Sequence, residues 1–143
     1  MLANAGAEVN HTSGKDSEAP IHYSTKFGHV EATELLLKLS ADVDIMDVHG
    51  TTAMHHAVHY EHIDVLQVLL KSKANPYLKN VKGITPLELA LRVGNFDASL
   101  ILNARYRNDG KEYEFESLNE EEEINARHIL QEQQGLTRLS RKG

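Results

Sequence analysis

Apolar residues recur at a fixed interval along the first 104 residues of the chain. Pairs of short apolar segments, with the spacing of amphipathic helices, are separated by polar loops containing Gly, Asp or Asn. The first segments lie at 19–24, 52–57 and 85–90, so the pattern returns every 33 residues. The second segments, at 34–37, 67–70 and 100–103, keep the same interval. This pattern predicts a stack of helix pairs, because one pair cannot bury its own apolar face.

The residues at the ends of the segments support helices at these places. Pro20 and Pro86 fall in a first turn, where a missing N–H is tolerated, and Thr52 and Thr85 stand where a hydroxyl caps free amides. Gly28 and Gly94 separate the two helices of a pair and predict a left-handed residue there, with Glu61 at the same place in the middle unit. The predicted core positions are Ile21, Met54, Leu87, Ser24, Ala57 and Ala90 in the first helices, and Val30, Ile63, Phe96, Leu35, Val68, Ile101, Leu36, Leu69 and Leu102 in the second.

The segment Thr85-Pro86-Leu87-Glu88-Leu89-Ala90 and its two equivalents resemble the helix start of the ankyrin repeat, and the 33-residue period is that of the same family. The resemblance covers about residues 1–104 and implies an all-α solenoid of stacked helix–turn–helix pairs with loop or β-turn tips. We assign a partial repeat to 1–12 and repeats to about 13–46, 47–79 and 80–104, with one residue inserted near Gly14. Because Met1 falls inside a unit, we expect a fragment of a longer array, with an open N-terminal face available for contacts.

The last unit and the segment after it differ from the repeats. Glu88 and Asn103 replace residues that are less polar in the other copies, which predicts a polar cap on the stack. Residues 105–143 form a charged extension, with a turn at 108–110. Ser117 and Glu120 form a capping-box pattern that predicts a helix over 118–134, followed by a mobile end. We expect this helix to dock on the last repeat rather than serve as a linker, through Leu118, Ile124, Ile129 and Leu130.

Composition excludes several classes of function. The net charge is −6, which disfavours bulk nucleic-acid binding, and no cysteine is present for disulfides or thiolate chemistry. No apolar segment approaches the roughly 20 residues that cross a bilayer, so we expect no membrane insertion. We expect an intracellular protein, cytoplasmic or nuclear.

The sequence offers no pattern for catalysis. It has no Gly-x-Ser-x-Gly segment and no Gly-rich phosphate loop, so we expect neither an enzyme nor a cofactor. Histidines are frequent, and His55 and His59 have the spacing of a chelating pair. The resemblance implies instead that His22 and His55 hydrogen-bond neighbouring loops. Two further histidines are too few for a metal site, and we expect none.

The resemblance implies a protein-interaction module whose partners contact the loop tips and the exposed side of the first helices. Placed by register, the first helices carry a column of cationic residues and a column of apolar residues. The alternative for the apolar residues is that they close over the core instead of contacting a partner. The candidate contact residues are Lys26, His59 and Arg92; Phe27, Tyr60 and Val93; and the loop positions Val48, His49, Thr51, Val81, Lys82 and Ile84. Glu18 matches Thr51 if the insertion precedes it. These residues predict an amphipathic partner with acidic side chains, in the form of a peptide or a protein surface.

Two further interpretations remain open. The segment could be an intramolecular regulatory scaffold of a larger multidomain enzyme or channel. In addition, Leu2, Glu8, Val9 and Asn10 resemble the context of asparagine hydroxylation in ankyrin proteins, which makes Asn10 a candidate modification site.

Overall fold

A computed structural model describes residues 9–112 and 119–142, with side chains described through residue 131. The described backbone is helical apart from turns and one isolated β-bridge. Within the described ranges, three helix pairs follow one another, and a long helix comes after them. The helices are α1 (Pro20–Lys26), α2 (Val30–Lys38), α3 (Ala53–His59), α4 (Ile63–Lys71), α5 (Pro86–Val93), α6 (Phe96–Asn108) and α7 (Glu120–Lys142).

The predicted helix starts and junctions are confirmed. The Thr52 hydroxyl accepts a hydrogen bond from the His55 amide at 3.4 Å, and the Thr85 hydroxyl accepts one from the Glu88 amide at 3.2 Å. The junction residues are left-handed in all three pairs, with φ of 70° at Gly28, 60° at Glu61 and 73° at Gly94.

The core lies between the two layers of helices and is shared by successive pairs. The first helices α1, α3 and α5 contact one another in a row, as do the second helices α2, α4 and α6. The predicted small positions are buried, which lets the first helices approach closely. Fully buried residues include Ile21, Leu87, Leu66, Leu69 and Leu102.

Part of the predicted apolar stripe on the second helices is wrong. Leu35 is 57% exposed and Phe96 is 39% exposed, whereas Thr33, Leu66 and Ser99 are fully buried. Thr33 and Leu35 are two residues apart, which places them about 200° apart around a helix. Because Thr33 faces the first layer, where its hydroxyl lies 2.8 Å from that of Ser24, Leu35 points outward.

The loops stack on one another at one edge of the helix layers. Backbone bonds join residues 13 and 18 in the first loop, 47 and 51 in the second, and 80 and 84 in the third. The first loop therefore contains one extra residue, and Glu18 does match Thr51. Successive loops are linked by the amide of Val48, which donates to the Asp16 carbonyl at 2.9 Å, and by the amide of Val81, which donates to the His49 carbonyl at 3.0 Å.

The C-terminal helix docks on the last repeat, as predicted, but only in part through the predicted residues. Helix α7 packs against α5 and α6, and Ala126 is fully buried while Ile124 is 67% exposed. Ile129 is half-buried against the core, and Leu118 lies outside the described residues. The polar residues Glu88 and Asn103 belong to α5 and α6, the two helices against which α7 packs. They are 3% and 8% exposed, so they are buried and do not form a solvated cap.

The bounds of the last elements also differ from the prediction. Helix α6 continues to Asn108, so the boundary at 104 falls inside it, and the turn that follows has Gly110 at φ 70°. Helix α7 begins at Glu120 and extends to Lys142, beyond the predicted end at 134. Its capping box is formed by Asn119 and Glu122, whose side chains each accept the other's amide, at 2.8 and 3.1 Å. Ser117 lies outside the described residues, as does most of the partial repeat assigned to 1–12.

Among the described residues, no helix combines the length and apolar character needed to cross a membrane.

Candidate partner-binding surface

The predicted apolar column lies at the surface of the first helices. Phe27, Tyr60 and Val93 are the residues at or next to the C-terminal ends of α1, α3 and α5, and they are 65%, 44% and 44% exposed. Residues that closed over the core would be largely buried. The column is therefore an exposed apolar row across three units.

The predicted loop positions divide into two groups. Val48 and Val81 are 53% and 70% exposed, and His49 and Lys82 are exposed beside them. Thr51 and Ile84 are half-buried because they close the loops, directly before the N-cap residues of α3 and α5. The apolar tips and the apolar column therefore offer two separate sets of side chains to a partner.

The cationic column is largely neutralised within the protein. The Lys26 ammonium lies 2.6 Å from a Glu18 carboxylate oxygen, and this hydrogen bond raises the pKa of Lys26 above its ordinary value. Arg92 lies 3.1 Å from Glu88 and 3.9 Å from Glu122 of α7. These pairs remove most of the basis for the expected preference for acidic partners, because that preference assumed unpaired cations.

A cavity of about 410 Å³ lies between the loops and the first helices. It brings together the predicted residues Lys26, His49, Thr51, Val81 and Lys82. Tyr60 is next to this cavity, since its ring lies 6.2 Å from that of His56, but Arg92 and Val93 do not line it. The cavity also contains residues absent from the predicted set, namely Asp16, Glu18, Asp47, His56 and Asn80.

The sequence contained a signal for three of these missed residues. Tyr23, His56 and Leu89 form a register column one helical turn before the apolar column, and residues four apart share a helix face. Asp47 and Asn80 occupy equivalent positions at the start of their loops. In both cases one side-chain oxygen accepts two loop amides, from His49 and Thr51 at 2.9 Å each for Asp47.

The floor of the cavity holds a compact polar cluster. Ligand-type atoms of Glu18, Asp47 and His56 all lie within 4.8 Å of one another, and the three residues are 6%, 9% and 9% exposed. The second oxygen of Asp47 lies 3.4 Å from Nε2 of His56. Burial, with the nearby His22 and Lys26, lowers the pKa of His56 to about 4 against the opposing effect of Asp47, so its imidazole is neutral at neutral pH.

The other buried histidines, His22 and His55, hydrogen-bond neighbouring loops, as the resemblance implied. Nε2 of His22 lies 2.9 Å from the Ile45 carbonyl, and Nε2 of His55 lies 2.8 Å from the Ile84 carbonyl. The supposed chelating pair of His55 and His59 is not a site, because His55 is committed to these bonds while His59 is exposed beside Tyr60.

Asn10 has a structural partner. Its side-chain oxygen accepts the amide of Asp42 at 2.8 Å, which links two successive loops. Hydroxylation of Asn10 stays a prediction, and Leu2 and Glu8, which suggested it, lie outside the described residues.

Comparison with known proteins agrees with this architecture. A family model described as ankyrin repeats in three copies matches residues 1–80, more than half of the chain. Over 49 residues the chain is 45% identical to a palmitoyltransferase AKR1 of Kluyveromyces lactis, an alignment covering 34% of this chain and 6% of that protein. The chain therefore spans only a small part of the length of this relative. The repeat, its left-handed junctions and the family match together establish that the chain belongs to the ankyrin-repeat family.

Proposed function

We propose that the chain is a protein-interaction module that binds a partner peptide or protein surface across the first helices and the loop tips. Ankyrin repeats are protein-interaction modules, and this fold is typically non-catalytic. The observation that supports the proposal most directly is the exposed row of Phe27, Tyr60 and Val93. Aromatic residues on such rows are frequent anchors of binding energy.

The partner we propose is amphipathic and uses its apolar side chains against this row. Acidic side chains in the partner contribute less than the sequence indicated, because Lys26 and Arg92 already pair with carboxylates. We therefore expect affinity to change only modestly between low and physiological salt. A steep loss of affinity with salt would show instead that charge pairing dominates.

The decisive variant is Tyr60→Ala. Loss of a central aromatic contact costs roughly 2 kcal/mol of binding, which is about a 30-fold weaker complex. Tyr60 is 44% exposed, so the free energy of unfolding should change by less than about 0.5 kcal/mol. A stability loss as large as the binding loss would show that Tyr60 belongs to the core.

A matched control comes from the second helices. Partner capture with the Phe27/Tyr60/Val93 triple alanine variant is compared with capture by a Leu35/Leu39/Leu100 triple alanine variant. The control leucines are 57%, 46% and 41% exposed, which is similar to the column. The proposal requires loss of partner in the first variant and retention in the second, and the reverse result contradicts it.

The second candidate is an intramolecular regulatory segment of a larger enzyme or channel. The similarity over 49 residues to a protein named as a palmitoyltransferase is the observation that favours it. The coding sequence on either side of this segment distinguishes the two candidates. A catalytic or channel domain in the same polypeptide that binds this segment, with loss of binding in Tyr60→Ala, supports the second.

A further inference from the structure

The cluster at the floor of the cavity joins three separate parts of the chain. Glu18 closes the first loop, Asp47 opens the second loop, and His56 belongs to α3. Because Glu18 and Asp47 are both nearly buried, their negative charges are costly unless a cation or hydrogen-bond donor faces them.

One group of the cluster lacks a hydrogen bond. Nε2 of His56 is buried and has no hydrogen-bond partner among the residues that the structure describes, although the Asp47 oxygen is 3.4 Å away. The other oxygen of Asp47 accepts the two loop amides, so the orientation of this carboxylate is fixed with one oxygen toward the imidazole. Nε2 of His56 and the second oxygen of Asp47 therefore lie side by side, and both are atoms that can bind a metal ion.

The charges nearby leave a deficit of positive charge. Glu18 and Asp47 carry two negative charges, and Lys26 supplies one positive charge through its contact with Glu18 at 2.6 Å. Glu18, Asp47 and Lys26 together therefore carry a net charge of −1. The site is therefore suited either to a second cation beside the Lys26 ammonium or to a doubly charged cation that replaces this ammonium.

We propose that Glu18, Asp47 and His56 bind a divalent transition-metal ion, for which Zn²⁺ is the best match. Two ligands at about 2.1 Å from a tetrahedral ion lie about 3.4 Å apart, and the His56 and Asp47 atoms are separated by 3.4 Å. One imidazole with two carboxylates is a ligand set that zinc accepts, while Mg²⁺ and Ca²⁺ prefer oxygen alone. This assignment goes beyond protein binding and does not depend on it.

Metal binding requires one movement within the site. The Lys26 ammonium must leave Glu18, and its side chain is flexible and 23% exposed at the edge of the cavity. The cavity provides the path of entry for the ion and room for a water molecule as a further ligand. A bound ion would connect the first two loops with α3 and so stabilise the stacking of the first two units.

The test is zinc titration calorimetry and thermal unfolding of the full, untagged chain after removal of metal by a chelator. We expect one equivalent to bind at micromolar or lower concentration and to raise the melting temperature, with no effect of Mg²⁺ at the same concentration. The proposal is overturned if no heat of binding is detected, if zinc binds 100-fold more weakly than this, or if Mg²⁺ binds equally well.

Variants locate the ion. Asp47→Asn keeps the oxygen that accepts the loop amides, so the loop should fold, but removes one ligand charge. Asp47→Asn and His56→Ala should each weaken zinc binding at least tenfold. His59 is an exposed histidine on the same helix, so His59→Ala should have no effect. Loss of binding in His59→Ala and retention in Asp47→Asn would place the ion on surface histidines and contradict the proposal.

Lys26→Met gives an independent test with the opposite sign. Removing the ammonium that competes for Glu18 should tighten zinc binding by about tenfold or more, because the ion no longer has to displace a positive charge. Unchanged or weaker binding in this variant would show that zinc does not bind at Glu18.

Discussion

The contacts between repeat units differ in kind from the contact between the last unit and helix α7. In the repeats, His22 and His55, which are one period apart, each bond a carbonyl of the loop that follows their own helix pair. His22 bonds the carbonyl of Ile45 and His55 bonds that of Ile84, although these two carbonyls are not at equivalent positions. In the last unit the equivalent residue is Glu88, which pairs with Arg92 of its own helix. Helix α7 covers that unit through Ala126.

The difference shows how a repeat specifies its own stacking. The donor position exists in every copy, so the same residue type can bond successive loops of the stack. The contact with α7 occurs once and depends on side chains with no equivalent elsewhere. The predictions below test the two kinds of contact, beginning with the largest expected effect.

The inter-unit histidine bond should carry the largest share of stability. His55→Ala leaves the Ile84 carbonyl and the Thr52 amide without their partners at a buried site. We expect a loss of about 3 kcal/mol in the free energy of unfolding, measured by urea denaturation. His59→Ala, on the exposed side of the same helix, should change it by less than about 0.5 kcal/mol. Equal losses would contradict the structural role of His55.

The left-handed junctions distinguish an internal position from the end of the stack. A Cβ at Gly28 would lie 2.6 Å from the ring of His62 in the next unit, while a Cβ at Gly94 would meet no described atom within 4 Å. Gly28→Ala should therefore cost about 2 kcal/mol and Gly94→Ala only about 1 kcal/mol, the cost of the left-handed backbone alone.

The middle unit indicates how the clash at Gly28 can be relieved. Glu61 has a Cβ and φ of 60°, and the residue of the next unit at the position of His62 is Asn95, whose amide donates to the Val58 carbonyl at 3.1 Å. We expect His62→Asn to reduce the cost of Gly28→Ala in a double-mutant cycle. Strict additivity of the two substitutions would show that the ring of His62 is not the obstacle.

Docking of α7 should depend on one small residue. Ala126→Glu places a charge at a fully buried position and should release the helix, with a loss of about 1–2 kcal/mol. Hydrogen exchange of the α5 and α6 amides measures the release. Ile124→Glu, at a residue 67% exposed, is the control and should leave exchange unchanged.

The smallest effect concerns the last of a series of links between loops. Asn10 accepts the Asp42 amide and Asp44 accepts the Asn75 amide, whereas Tyr77 in the third unit donates its hydroxyl to Asp109. Burial and this bond raise the pKa of Tyr77 to about 12. Its contribution to stability is therefore complete below the ordinary pKa of 10 and is lost as pH rises toward 12.

The titration of Tyr77 is measured as the difference in tyrosinate absorbance between the wild type and Tyr77→Phe. A midpoint near 10 in that difference would show that the bond to Asp109 is absent in solution.

The periodic part of the fold was largely predictable. Thr52, Thr85, Gly28 and Gly94 specify helix starts and junctions by local backbone chemistry, and three aligned copies fix the register of the exposed column. The second helices were predicted less well because the polar Thr33 is buried and the apolar Leu35 is exposed. Apolar character alone predicts the opposite. The contact of Ala126 was missed because alanine gives a weak hydrophobic signal.

The sequence by itself determined that helix pairs stack and which side chains face outward in a row, because both follow from a period that every unit repeats. The tertiary structure alone decided that Lys26 is paired with Glu18 and that Asp47 meets His56. Each of these pairs joins a loop to a helix within one repeat, whereas the approach of Glu18 to Asp47 and His56 joins two successive repeats. That approach depends on how closely the two repeats pack, so the sequence of a single repeat does not reveal it.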